Sequence, residues 1–178
     1  MKRVILDYKQ VDITITRLCH QLVEEHGDFS NSAIIALQPR GTFLGEVLVR
    51  HLKEHFQLDV LYGELDATFY RDDFRRTDKP LLPNNMELNF QVEGKQIILV
   101  DDVLYTGRSI RAALDSINDY GRPSHLELLT LINRKYKREV PIQPDYVGEE
   151  VDSRTDDYVK VDWKENNCKV WIITDHNA

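Results

Sequence analysis

At 178 residues the chain is sized for one domain with a substantial core and is too short for two ordinary ones. Its composition, 42% hydrophobic and 30% charged, is that of a soluble globular protein, and no apolar run comes near the ~20 residues that a membrane span requires. A formal charge of −7 argues against a generally basic nucleic-acid binder, which gains affinity by neutralising many phosphates, yet leaves room for a local basic patch or a phosphorylated small molecule.

The opening MKRVILDYKQ has no extended apolar core and no small-residue cleavage site, so no signal peptide is expected and a cytoplasmic location follows by default. From Val11 to His26, apolar residues at Val11, Ile15, Leu18, Cys19, Leu22 and Val23 keep helical spacing, with Gly27 as terminator. Cys19 and Cys168 suggest neither a disulfide framework nor a metal cluster and read as ordinary reduced thiols. Ala33 to Leu37 is a short buried strand. Gln38-Pro39-Arg40-Gly41-Thr42 then turns the chain into a helix with Phe43, Leu44, Val47, Leu48 and Leu52 on one side. Asp59 to Tyr70 has strand character. Its continuation, Arg71 to Pro80, is so polar that a mobile arm over about 67–90 is expected, with Met86 to Phe90 returning as the second strand of a hairpin.

The most informative stretch is Gln96 to Ser109, QIILVDDVLYTGRS. Four apolar residues, Ile97 to Val100, fit a strand buried on both faces, and they run into two adjacent carboxylates, Asp101 and Asp102. Small and hydroxylated residues, Tyr105-Thr106-Gly107-Arg108-Ser109, then open an amphipathic helix over 110–117 that Gly121 and Pro123 end. Backbone N–H groups at such a helix start, with the hydroxyls of Thr106 and Ser109, suit a phosphate, and an open α/β sheet binds ligands at the carboxyl ends of its strands. His125 to Ile132 is a further strand, so strands and helices alternate as a parallel sheet with crossover helices requires. Beyond it lie a basic cluster, Arg134 to Arg138, two prolines, and short strands near 145–148, 158–163 and 169–173.

Two acids ending a strand also fit a solvated pair. Beside a bare helix start, two hydroxyls and two glycine-containing loops they suit a phosphorylated sugar, accepting from ribose hydroxyls or meeting a Mg²⁺ that bridges diphosphate oxygens. Neither a Walker P-loop nor the Rossmann GxGxxG is present.

Ile97 to Ser109, IILVDDVLYTGRS, resembles the phosphoribosyl-pyrophosphate (PRPP) signature of type I phosphoribosyltransferases. The forms DDVLYTGR, LDATFYRDD and YGRP make nearly the whole chain similar to the pyrimidine operon attenuation regulator/uracil phosphoribosyltransferase (PyrR) family. The resemblance implies an α/β fold of that type, with a mainly parallel central sheet flanked by helices, a flexible hairpin arm and a small C-terminal hood, a cap over about 133–178. It implies the reaction of uracil with PRPP to give UMP and pyrophosphate, with Mg²⁺ carried by PRPP. Asp101 and Asp102 are then expected at the ribose hydroxyls and the Mg²⁺. The loop Val103, Leu104, Tyr105, Thr106, Gly107, Arg108 and Ser109 is expected at the 5′-phosphate. Pro39, Arg40 and Gly41 match the pyrophosphate loop, where Arg40 pairs with the leaving group through its planar fork. Arg71 lies in the closing arm, and Arg134 with the backbone near Val159 contacts the base.

Purine-type relatives usually have Asp where this chain has Tyr105, an acid serving the purine ring nitrogen, which a phenol cannot do at neutral pH. That favours a pyrimidine acceptor; a purine phosphoribosyltransferase remains the alternative. Asn133 stands where relatives commonly have Asp. Some members of the family bind an mRNA leader stem-loop when UMP is present. Thr16, Arg17 and His20, with Lys135, Lys137 and Arg138, form a basic face for such a contact or equally an ordinary solvated surface. A regulator with little catalysis is thus a second alternative. The family also implies a homo-oligomer, a dimer or higher.

Overall fold

The computed structural model describes residues 2–67, 88–153, 157–164 and 167–174. Eight strands and three helices occur among them: β1 (Lys2–Leu6), α1 (Tyr8–His26), β2 (Ser32–Leu37), α2 (Gly41–Phe56), β3 (Leu61–Leu65), β4 (Gln96–Leu104), α3 (Arg108–Ile117), β5 (His125–Arg134), β6 (Tyr146–Val151), β7 (Asp157–Lys164) and β8 (Asn167–Thr174). The central sheet has the order β3-β2-β4-β5-β6 and every pairing in it is parallel. A second sheet, β1-β8-β7, is antiparallel.

Strand alternation divides the core into two layers. Ile34, Ala36, Ile98, Val100, Leu129 and Leu131 pack with the apolar faces of α1 and α2 and with Val159, Val161, Val170 and Ile172 of the small sheet. Ala33, Ile35, Leu37, Ile97, Leu99 and Leu128 face the other way, onto Ile110, Ala113 and Ile117 of α3. Such two-sided burial explains why the central strands read as unbroken apolar runs. Local signals set the helix ends. Asp7 and Gln10 close a capping box at the start of α1, and Gly27 ends it at φ 58°.

The α/β class, the parallel sheet and the flanking helices are as the sequence implies. Three features differ. β1 was not expected: it has a single fully buried residue, Leu6, and is held by backbone pairing to β8. The segment beyond 133 is not one cap. β6 joins the central sheet as an edge strand parallel to β5, and the hood is β7 and β8 completed by β1 from the other end of the chain. Most of the expected arm, Arg71 included, lies outside the described residues; at its margins Ala67, Leu88 and Phe90 pack against the α3-side core, and 88–90 are not strand.

Candidate active site at the carboxyl ends of the central strands

β4 ends in Asp101-Asp102-Val103-Leu104, and alternation puts the two carboxylates on opposite faces, Asp102 with Ile98 and Val100. Asp102 is buried, and its Oδ2 has no hydrogen-bond partner. Burial drives its carboxyl up to about 6, against the opposing pull of Arg40. The Asp102 N–H donates to Asp101 Oδ1 at 2.9 Å, fixing the neighbouring carboxylate.

Arg40 stands immediately before α2, after a cis Gln38–Pro39 bond. Only glycine fits at position 41: a Cβ there would lie 2.4 Å from the Val100 carbonyl oxygen and 3.2 Å from Asp101 Cα. This close approach presses the start of α2 onto the end of β4 and brings Arg40 to the carboxylate pair. The Arg40 Nη1 donates to the Tyr158 hydroxyl at 3.2 Å, the largest influence holding its guanidinium protonated, with Asp102 and Asp101 adding to it.

On the far side of the carboxylates, Gly107 takes φ +87° and precedes α3, whose start receives no side-chain cap. The one near contact is long, Arg108 N to Thr106 Oγ1 at 3.4 Å. These N–H groups and the positive helix end form a ready anion cradle. The loop is braced from behind by the segment after β5. Glu139 N and Val140 N donate to the Thr106 carbonyl at 2.9 and 3.2 Å, and Arg108 Nε pairs with Glu139 Oε2 at 2.5 Å.

The third wall carries Arg134. Its guanidinium lies 3.8 Å over the Tyr105 ring, and it donates to Ser153 Oγ at 2.7 Å and to the Asp157 carbonyl at 2.8 Å. Val159 is buried two residues further along β7. Asn133 Oδ1 accepts from Arg138 Nη2 at 2.6 Å, and Arg138 Nη1 also reaches the Tyr105 carbonyl. Arg138, read from sequence as part of a basic face, is therefore turned into the back of the phosphate loop.

Pro39, Arg40, Gly41, Asp101 to Ser109, Arg134 and Val159 thus gather around the carboxyl end of β4. Thr16, Arg17 and His20 are elsewhere, on α1. Thr16 Oγ1 donates to the Asp12 carbonyl at 2.9 Å, and the His20 ring meets Phe56 edge-on at 4.9 Å. Arg17 Nη2 donates to the carbonyls of Val147 and Gly148 on β6 at 3.1 and 2.5 Å. Sequence reading missed Tyr158, Glu139, Ser153 and Asp157. Each acts through a contact between 19 and 118 residues away in the chain, which no local spacing signals.

A Mg²⁺ that accompanies PRPP fits this site. The unpartnered Asp102 Oδ2 and the adjacent Asp101 supply hard oxygen donors.

The model of the phosphoribosyl transferase domain matches residues 4–166, so sheet, acids and phosphate loop belong to a phosphoribosyltransferase domain. The bifunctional protein PyrR of Haemophilus ducreyi is 40% identical over 161 residues, covering 90% of this chain and 89% of that protein. That of Elusimicrobium minutum is 38% identical over 165 residues, covering 93% and 92%. The chain belongs to the PyrR family of the type I phosphoribosyltransferases. A hypoxanthine-guanine phosphoribosyltransferase from Bacillus anthracis shares the fold, with a TM-score of 0.68 at 22% identity over 84% of each chain. The enzyme of Leishmania tarentolae in complex with GMP does so with a TM-score of 0.66 at 15% identity, over 84% of this chain and 81% of that one. At such identities the likeness speaks for the fold alone.

Proposed function

We propose that the chain transfers the phosphoribosyl group of PRPP to uracil, giving UMP and pyrophosphate. Tyr105 carries the choice of base. Where purine enzymes place an acid for the ring nitrogen, this chain has a phenol ring covered by the Arg134 guanidinium at 3.8 Å, and Arg134 is itself anchored by Ser153 and the Asp157 carbonyl. That side of the site places a cation over the phenol ring, at the position where purine enzymes have an acid.

Cleavage of the bond between the ribose and pyrophosphate builds positive charge on the sugar and negative charge on the leaving group. Asp101 and Asp102 accept from the ribose hydroxyls and stand near the developing positive charge. Arg40 receives the pyrophosphate through two parallel N–H donors. The N–H groups at the start of α3, with Thr106 and Ser109, hold the 5′-phosphate and so fix the ribose between base and leaving group. Bound Mg²⁺ adds charge neutralisation on the diphosphate oxygens. The reaction needs no nucleophilic side chain, and the two thiols fit that: burial raises both Cys19 and Cys168 to about 12. The test is formation of UMP and pyrophosphate from uracil, PRPP and Mg²⁺. Product from hypoxanthine or guanine with none from uracil moves the assignment to the purine branch.

A second role, UMP-dependent binding of a leader RNA, is supported by β6. Arg17 reaches the Gly148 carbonyl and Lys135 pairs with Glu150 at 2.7 Å, so two basic residues far apart in sequence meet one edge strand two positions apart. A gel-shift with the chain's own operon leader, with and without UMP, decides it, and no UMP-dependent affinity at moderate salt sinks it.

A further inference from the structure

Two consecutive residues of β7 touch two different parts of the site. The Asp157 carbonyl accepts from Arg134, which covers Tyr105 at the head of the phosphate loop. The Tyr158 hydroxyl accepts from Arg40 in the pyrophosphate loop. Val159, next along the strand, is buried in the core that the small sheet shares with α1 and α2. Asp157 is itself tied down, accepting from Thr174 Oγ1 at 2.8 Å, so this end of β7 is a fixed strut. Arg40 needs such a strut. Its backbone sits at the mouth of α2, its side chain is long and rotamer-rich, and Tyr158 is the hydrogen-bond partner that fixes its guanidinium beside the carboxylates.

We propose that Tyr158 is a positioning residue for the transfer, its hydroxyl holding the Arg40 guanidinium where pyrophosphate is bound and released. A guanidinium fixed in advance is not reorganised when the leaving group develops its charge, whereas an unanchored one must be ordered at that moment. The hood would then serve the leaving-group side of the reaction as well as the base side. The proposal rests on phosphoribosyl transfer and not on which base accepts it.

The test compares Tyr158→Phe, Arg40→Ala and the double variant. Tyr158 is 48% exposed, so removing its hydroxyl opens no cavity, and the melting temperature should not change. KM for PRPP should rise about tenfold in Tyr158→Phe, the scale of one lost hydrogen bond to a charged group, with KM for the base unchanged. Calorimetric affinity for Mg·PRPP should fall in parallel, and adding Tyr158→Phe to Arg40→Ala should cost nothing further. An unchanged KM for PRPP, a rise confined to KM for the base, or an additive loss in the double variant would overturn the proposal. If uracil proves not to be the acceptor, the same measurement runs with whichever base the wild-type protein turns over, so the two readings fail separately.

Discussion

At the amino ends of the central strands, His26, Ser32, Gln96, Glu127 and Tyr146 meet in one largely buried cluster, and every one has a partner. His26 Nδ1 lies 2.9 Å from Ser32 Oγ and 3.2 Å from Gln96 Oε1, its Nε2 lies 2.8 Å from Glu127 Oε2, and the Tyr146 hydroxyl donates to the same carboxylate at 3.2 Å. At the carboxyl ends Asp102 is as deeply buried, yet one of its oxygens has no partner, and the Arg40 that acts on it is exposed. A buried polar group is costly unless it is satisfied, so the first cluster reads as a staple joining α1 to β2, β4, β5 and β6. The second keeps its capacity for a ligand.

The sharpest way to break this comparison is to exchange the effects. His26→Ala leaves Glu127 buried beside an empty place and should cost about 3–5 kcal/mol in denaturant unfolding, while turnover by the folded fraction stays the same. Asp101→Asn should lower kcat by about 10²- to 10³-fold with the melting temperature held, the scale of losing one electrostatic contact to the reacting centre. Asp102→Asn should combine both kinds of effect. The folded carboxyl titrates near 6 rather than near 3.8, so between those values the folded protein holds a proton that the unfolded chain has lost. This group's contribution to stability therefore declines as pH rises through that window and is a net cost above it. Asp102→Asn should accordingly stabilise the ligand-free protein at pH 7 by at most about 3 kcal/mol, with no gain at pH 4, while abolishing most activity. In the same window kcat/KM for PRPP should fall on acidification through about pH 6, because the free enzyme's carboxylate is then neutralised. The smallest effect expected is at the thiols. Cys19 and Cys168 are buried and should stay unlabelled by a thiol reagent at neutral pH until the chain unfolds.

The same contrast explains what the sequence made legible. Ile97 to Asp102 is a continuous signal, an apolar run ended by two acids, and it located both the strand and the candidate site at its end. α1, α2 and α3 each carried helical spacing with glycine near an end. β1 was invisible because only Leu6 of its five residues is buried and its cohesion is backbone pairing to a strand at the far end of the chain. β6 reads like the hood strands because it is short; its place in the central sheet depends on register with β5. The site's ligand-facing residues were legible because the chemistry demands their types at one place in the chain. Tyr158, Glu139 and Ser153, which hold those residues from behind, were not, since a contact spanning 118 residues such as Arg40 to Tyr158 leaves no local trace.

The most direct test of the account offers the purified protein PRPP, Mg²⁺ and an equimolar mixture of uracil, hypoxanthine and guanine, and separates the nucleotides formed. With the Tyr105 ring covered by Arg134, UMP should be the product and should disappear in Asp101→Asn. IMP or GMP in place of UMP would contradict the reading of Tyr105 and with it the assignment to uracil.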